Sequence, residues 1–255
     1  MTDLLTEPLR DGITQRAILE LLILAVVCGP LGVWVVLYRQ SYATESIAHS
    51  MLPGLVIASL VSIPLGLGAA AGLAVAVTVT GLFGLGTLLA LSPDVPVRLG
   101  EILFGDPLAV SAGDLAASAA LAVVTLLALA RGHRSLTLSG FDPQTARNLG
   151  GGNQRAAALL LSLLTLTVLI AVGSLGNLLV VAIVIGPGAA ALRIARSLTG
   201  ALWIAAAAAA FAGVAGIYLS YWAELAAGAS IAICAVAVFA LAMAISRLTG
   251  RPAVS

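Results

Sequence analysis

Apolar runs of bilayer-spanning length follow one another along the chain, at residues 17–37, 43–63, 66–91, 113–131, 156–172, 175–192, 200–221 and 229–246. A hydrocarbon core about 30 Å thick takes roughly 20 residues of helix. Inside it every backbone N–H and C=O must find a partner within the protein, which only helix bundles and closed barrels achieve. A barrel would need alternating strands of about ten residues, and runs such as Ala205 to Ala210 do not alternate. The expected fold is therefore all-α, a polytopic transmembrane helical bundle of about seven or eight spans. It forms a single domain over 1–255, with a short polar N-terminal segment at 1–16 and a polar loop at 131–155. Segment 66–91 fits least well, because its helix would be about 39 Å long, long for one span and far too short for two.

Composition removes several function classes. Of 255 residues 61% are hydrophobic and 9% charged, so no stretch is left to fold a water-facing catalytic domain. The net charge of +1 gives no basic footprint for nucleic acid. Every basic residue other than histidine is arginine. A P-loop needs its lysine to reach the β- and γ-phosphates, so this chain is not a Walker-type ATPase by itself. Cys28 and Cys234 lie in separate apolar stretches and read as small core residues. No short apolar segment with a small-residue cleavage site follows residues 1–16, so no cleavable signal peptide is expected.

Arginines set the orientation, since they concentrate on the cytoplasmic side of span ends. Arg131, Arg134, Arg147 and Arg155 share one loop, Arg193 and Arg196 follow two spans later, and Arg247 and Arg251 two more. All fall on one side if the spans alternate, which makes that side and the C-terminus cytoplasmic. Two arrangements of the N-terminal half remain. Eight plain spans put the N-terminus inside with Arg10 and Arg16. If 66–91 is not a single crossing, the N-terminus lies outside and Arg39 joins the cytoplasmic set.

Ionisable residues within apolar spans are the candidates for chemistry, because each is costly there unless it faces a cavity or a partner. Glu45 and His49 stand out in Thr44-Glu45-Ser46-Ile47-Ala48-His49. At a spacing of four both side chains leave one helix face, with Cβ atoms about 5–6 Å apart. Carboxylate oxygen and imidazole nitrogen suit zinc, manganese or iron. Two ligands are too few for a tetrahedral site, and a two-fold dimer would supply four. A self-neutralising Glu–His pair, or Glu45 paired with Arg39, is the alternative. His133 reads as a solvated loop residue. Glu20, Asp114 and Glu224 lie near span ends, where carboxylates reach water. Asp142 at an N-cap, Pro143 at the first helical position and Gly150 at the end describe a helix of about two turns on the cytoplasmic side. It is either a surface connector or a docking helix for a soluble partner.

Together these segments resemble the permease subunit of the zinc/manganese family of binding-protein-dependent ABC importers. The family signature Gly-Asp-Ala-x-Ser-His-x-x-Leu-Pro-Gly corresponds to residues 44–54, ending His49-Ser50-Met51-Leu52-Pro53-Gly54. A second family segment is matched by Leu103-Phe104-Gly105-Asp106-Pro107-Leu108-Ala109-Val110-Ser111. The family's coupling helix is similar to Phe141-Asp142-Pro143-Gln144-Thr145-Ala146-Arg147. Residues 178–191, with Pro187, resemble a later family pattern. Two departures stand out: Glu45 replaces the family aspartate and Thr44 its glycine. In addition, residues 69–80 run straight into Gly81-Leu82-Phe83-Gly84-Leu85-Gly86, without the charged turn that family members carry there.

The resemblance implies a bundle like those of metal- and cobalamin-type ABC importers, with the N-terminus outside. It implies a homodimer, a cytoplasmic ATPase subunit that binds ATP, and an extracytoplasmic metal-binding protein. It assigns the metal path to Glu45 and His49, and docking to Asp142, Pro143, Gln144, Thr145, Ala146 and Arg147. Pro53, Gly54 and Pro187 shape helix packing. The expected function is transport, not catalysis: a cell-membrane permease carrying zinc, with manganese or iron as alternatives, and no permanently bound cofactor. A stand-alone secondary transporter using Glu45 and His49 for ion coupling is the other reading.

Overall fold

The computed structural model describes residues 11–41, 44–45, 85–86, 88–89, 105–142, 144 and 153–249. Six helices among them are long and apolar enough to cross a membrane. They are α1 (Gly12–Leu37), α2 (Ala112–Phe141), α3 (Asn153–Leu175), α4 (Asn177–Ile194), α5 (Leu198–Ala223) and α6 (Ala227–Thr249). Among the described residues there is no strand, so the architecture is the all-helical bundle that the runs imply. Runs 43–63 and 66–91 fall largely outside the described residues.

Helix α1 begins inside the segment read as polar, because Asp11 caps it: the Asp11 carboxylate accepts from the Ile13 N–H at 3.2 Å. It forms the centre of the bundle, packed on α2, α3, α4 and α5. Lipid supplies little hydrophobic drive for helices to associate, so close packing of small residues must do so. Gly29 lies against the Ala205 backbone of α5, and Gly32 and Gly188 lie against each other's helices. A Cβ at Gly32 would overlap the Val184 carbonyl of α4. Around these contacts Leu24, Leu31, Trp34, Leu164, Leu179 and Ile231 are fully buried.

These contacts fix relative direction. Leu21 of α1 meets Gly213 of α5 while Gly29 meets Ala205, so α1 and α5 are antiparallel. Glu20 near the start of α1 meets Ser118 near the start of α2. Tyr38, just past the end of α1, donates its hydroxyl to the Leu136 carbonyl near the end of α2 at 2.9 Å. Helices α1 and α2 therefore run parallel, and Arg39 shares a face with Arg131, Arg134, Arg155, Arg193, Arg196 and Arg247. Of the two N-terminal arrangements, the one that starts α1 on the arginine-rich face is excluded.

The polar loop at 131–155 is corrected in its first part. Helix α2 continues through Arg131 to Phe141. Leu136 and Ser139 are buried, Gly132 packs on Leu159, and Gly140 packs on the Tyr38 ring. One stripe of this polar stretch thus keeps the helical register of the apolar part. At its other end Ser111 and Asp114 form a reciprocal capping box. On that end of the bundle α3 passes to α4 through Gly176, whose φ of 74° with ψ of 164° is open to glycine alone. Gly105, also at positive φ, lies directly on the Leu175–Gly176 backbone. It leads into a 3-10 turn at Pro107–Ala109, capped by Asp106 through the Leu108 N–H at 3.0 Å.

Candidate functional site

The chain leaves α1 through Arg39, whose φ of 56° is left-handed and breaks the helix. Helical residues resume at Ser41. Thr44 and Glu45 are helical, with Thr44 buried and Glu45 exposed, and the Thr44 N–H donates to the Gln40 carbonyl at 3.3 Å. Glu45 therefore follows the arginine-face end of α1 within two helical turns. His49, Pro53 and Gly54 lie outside the described residues. No group of three or more His, Cys, Asp or Glu side chains gathers among the described residues. Glu45 is the one member of the expected metal pair that can be placed.

The docking segment hangs from α2. Asp142 ends that helix, with φ −136° and ψ 79°, and its N–H donates to the Leu138 carbonyl at 2.9 Å. Asp142 and Gln144 are exposed, and Gln144 is again helical. Pro143, Thr145, Ala146 and Arg147 lie outside the described residues. At about 1.5 Å per residue, the 30 residues of α2 span about 45 Å, longer than the hydrocarbon core, about 30 Å. Asp142 is exposed on the arginine-rich face, two residues past the contact of Gly140 with the Tyr38 ring. Pro187 is buried inside α4 between Gly186 and Gly188. There Gly188 makes the backbone contact with α1.

Two readings of single residues are corrected. His133 is not a solvated loop residue. It sits on α2, half-buried, with its ring edge-on to Trp34 at 5.6 Å between centroids and 76° between planes. Nor does Glu20 reach water. It is 1% exposed, and its Oε1 accepts from the Ser118 hydroxyl of α2 and from the Ser174 hydroxyl of α3, the latter at 3.1 Å. Its other oxygen has no partner among the described residues. The signal for burial was present in the register: Glu20 lies in phase with Leu24, Val27, Leu31 and Trp34, at helical spacings of three and four. Asp114 and Glu224 do lie exposed at helix ends, Asp114 in the cap of α2 and Glu224 as the left-handed residue that closes α5.

With this geometry in hand, comparison with known proteins supplies the family. The model of the ABC 3 transport family matches residues 10–83 and 72–246. The two pieces overlap in the stretch where the charged turn is missing. The "Probable iron transport system membrane protein" of Haemophilus influenzae is 32% identical over 271 aligned positions, covering 98% of this chain and 100% of the relative. The manganese transport system membrane protein MntC of Halalkalibacterium halodurans is 33% identical over 257, covering 92% and 88%. A chain in the solved structure of PsaBC from Streptococcus pneumoniae in complex with Fab matches with a TM-score of 0.84 at 25% identity, covering 95% of each chain. Sequence and fold agree over nearly the whole length, and the chain belongs to the ABC 3 transport family.

Proposed function

We propose that this chain is the membrane-spanning permease of an ATP-driven importer of divalent metal, with manganese or iron as cargo before zinc. The observation that carries the reading is the family match running through residues 44–54, which hold a carboxylate and an imidazole four positions apart in sequence. The relatives named above are named for iron and manganese, which displaces zinc from first place. A carboxylate beside an imidazole accepts either metal, and the longer arm of Glu45 relative to aspartate alters reach without altering charge. Two copies of the chain would bring four such ligands to a shared axis, in an open shell that can release its ion. The ATPase would dock at Asp142–Arg147 below, and an extracytoplasmic binding protein would deliver metal to the Gly12 end of α1. The arginine-rich face, with the C-terminus, would then be cytoplasmic, as in other inner-membrane proteins.

Uptake of radioactive manganese, iron and zinc into vesicles holding the assembled importer tests this. His49→Ala should reduce uptake by at least about tenfold, the loss usual even for residues that only orient a metal ligand. Glu45→Gln should do the same, while Glu45→Asp should keep transport. Protons compete with metal for imidazole and carboxylate ligands, so wild-type uptake should fall on acidification. Wild-type rates in a well-inserted His49→Ala variant would return the pair to a structural role.

A further inference from the structure

The geometry points to a binding site for an anionic phospholipid in the groove between α1, α2 and α5, with an acyl chain in the groove and its phosphate held by Arg134 and Arg196. A cavity of about 310 Å³ lies between these three helices. Its ends coincide on all of them: Trp34, His133 and Leu202 mark the end toward the arginine-rich face, and Val26, Leu126 and Ala206 the end toward the middle of the bundle. The eight helical rises from Val26 to Trp34 give it a length of about 12 Å. Ala130 and Ala206 are too short to fill the space, and Pro30 presents only its ring. The groove is open to the side, since Val26 is 42% and Trp203 74% exposed.

The lining is apolar except for His133, and the helices around it cross the hydrocarbon region, so an acyl chain is the ligand that matches it. The charge at its mouth selects the headgroup. Arg134 follows His133 directly, and Arg196 precedes α5, whose Leu202 lines the same end of the cavity. Both arginines are exposed. Guanidinium binds phosphate oxygens in a planar two-point geometry, and basic residues at an interhelical groove recruit anionic lipid. A zwitterionic choline headgroup would bring its own cation against the same arginines and lose that gain.

Trp34 makes the inference measurable. It is 1% exposed at the back of the groove, so bromine on a chain held in the groove quenches it more strongly than bromine on a bulk lipid chain. Trp203→Phe and Trp222→Phe together leave Trp34 as the sole indole of the three in the chain. The full chain carrying both changes is placed in vesicles with brominated phosphatidylglycerol or brominated phosphatidylcholine. Each arginine near the surface contributes about fivefold, so phosphatidylglycerol should quench Trp34 at a mole fraction roughly thirtyfold lower. Arg134→Gln with Arg196→Gln should remove the preference, and Ala206→Phe should abolish quenching by either lipid. Emission maximum and thermal unfolding identify any variant that fails to fold, and the arginine pair, being exposed, keeps the test decisive if Ala206→Phe does. Equal quenching by both lipids, or quenching unaffected by Ala206→Phe, overturns the site. Absent quenching by either lipid in protein with wild-type emission and unfolding also overturns it.

Discussion

Glu20 joins three helices through one oxygen. Ser118 and Ser174 both donate to it, from α2 and α3, at the end of the bundle away from the arginines. Removing that acceptor leaves two hydroxyls buried in an apolar interior, and each stranded group costs about 1–3 kcal/mol. Glu20→Ala should therefore lower the thermal unfolding midpoint of the purified protein clearly, while Glu20→Gln, which keeps a carbonyl oxygen in place, should lower it much less. Equal midpoints for Glu20→Ala and wild type would show that the hydroxyls find other acceptors. The carboxylates show how far residue-level reading reaches. Exposure of Asp114 and Glu224 follows from their positions at helix ends. The register of Glu20 with Leu24, Val27, Leu31 and Trp34 signals an inward face, but the depth of its burial follows from α1 being surrounded, and no local pattern states which helix of a bundle takes the centre.

Helix existence was legible because apolar runs of more than fifteen residues admit no other structure in lipid. Helix ends were not, where polar residues continue a buried stripe. The stretch after Arg131 is polar on average, yet Leu136 and Ser139 keep it packed through to Phe141. At the element scale the tightest constraint is glycine. A methyl group at Gly32 overlaps a backbone carbonyl of α4, which cannot rotate away as a side chain would. Gly32→Ala should thus destabilise by about 1–3 kcal/mol, the usual cost of overpacking, and lower the yield of folded protein. Gly173→Ala meets nothing within 4 Å and should leave stability unchanged or raise it by up to about 1 kcal/mol through helix propensity. Denaturant or thermal unfolding of the two variants side by side separates packing from propensity.

For the whole molecule, direction is the main result. Sequence left the N-terminal half open because arginine totals were nearly equal in the two arrangements. The parallel pairing of α1 with α2 decides it through contacts at both ends of the pair. A cysteine placed at Gln40 should resist an impermeant thiol reagent applied to intact cells, whereas one at Asp11 should react. The reverse pattern would mean that the arginine-rich face is outside. The candidate metal pair shows the opposite balance: spacing and motif singled out Glu45 and His49, but a site made from one helix turn closes only with ligands from elsewhere, and sequence cannot say where those come from. The backbone contacts of α1 with α4 and α5 also govern how this protein can move. Helices that touch through side chains can slide by exchanging rotamers, but Gly29, Gly32, Gly188 and Ala205 offer none to exchange. We therefore expect these three helices to move together, with any rearrangement falling at their margins.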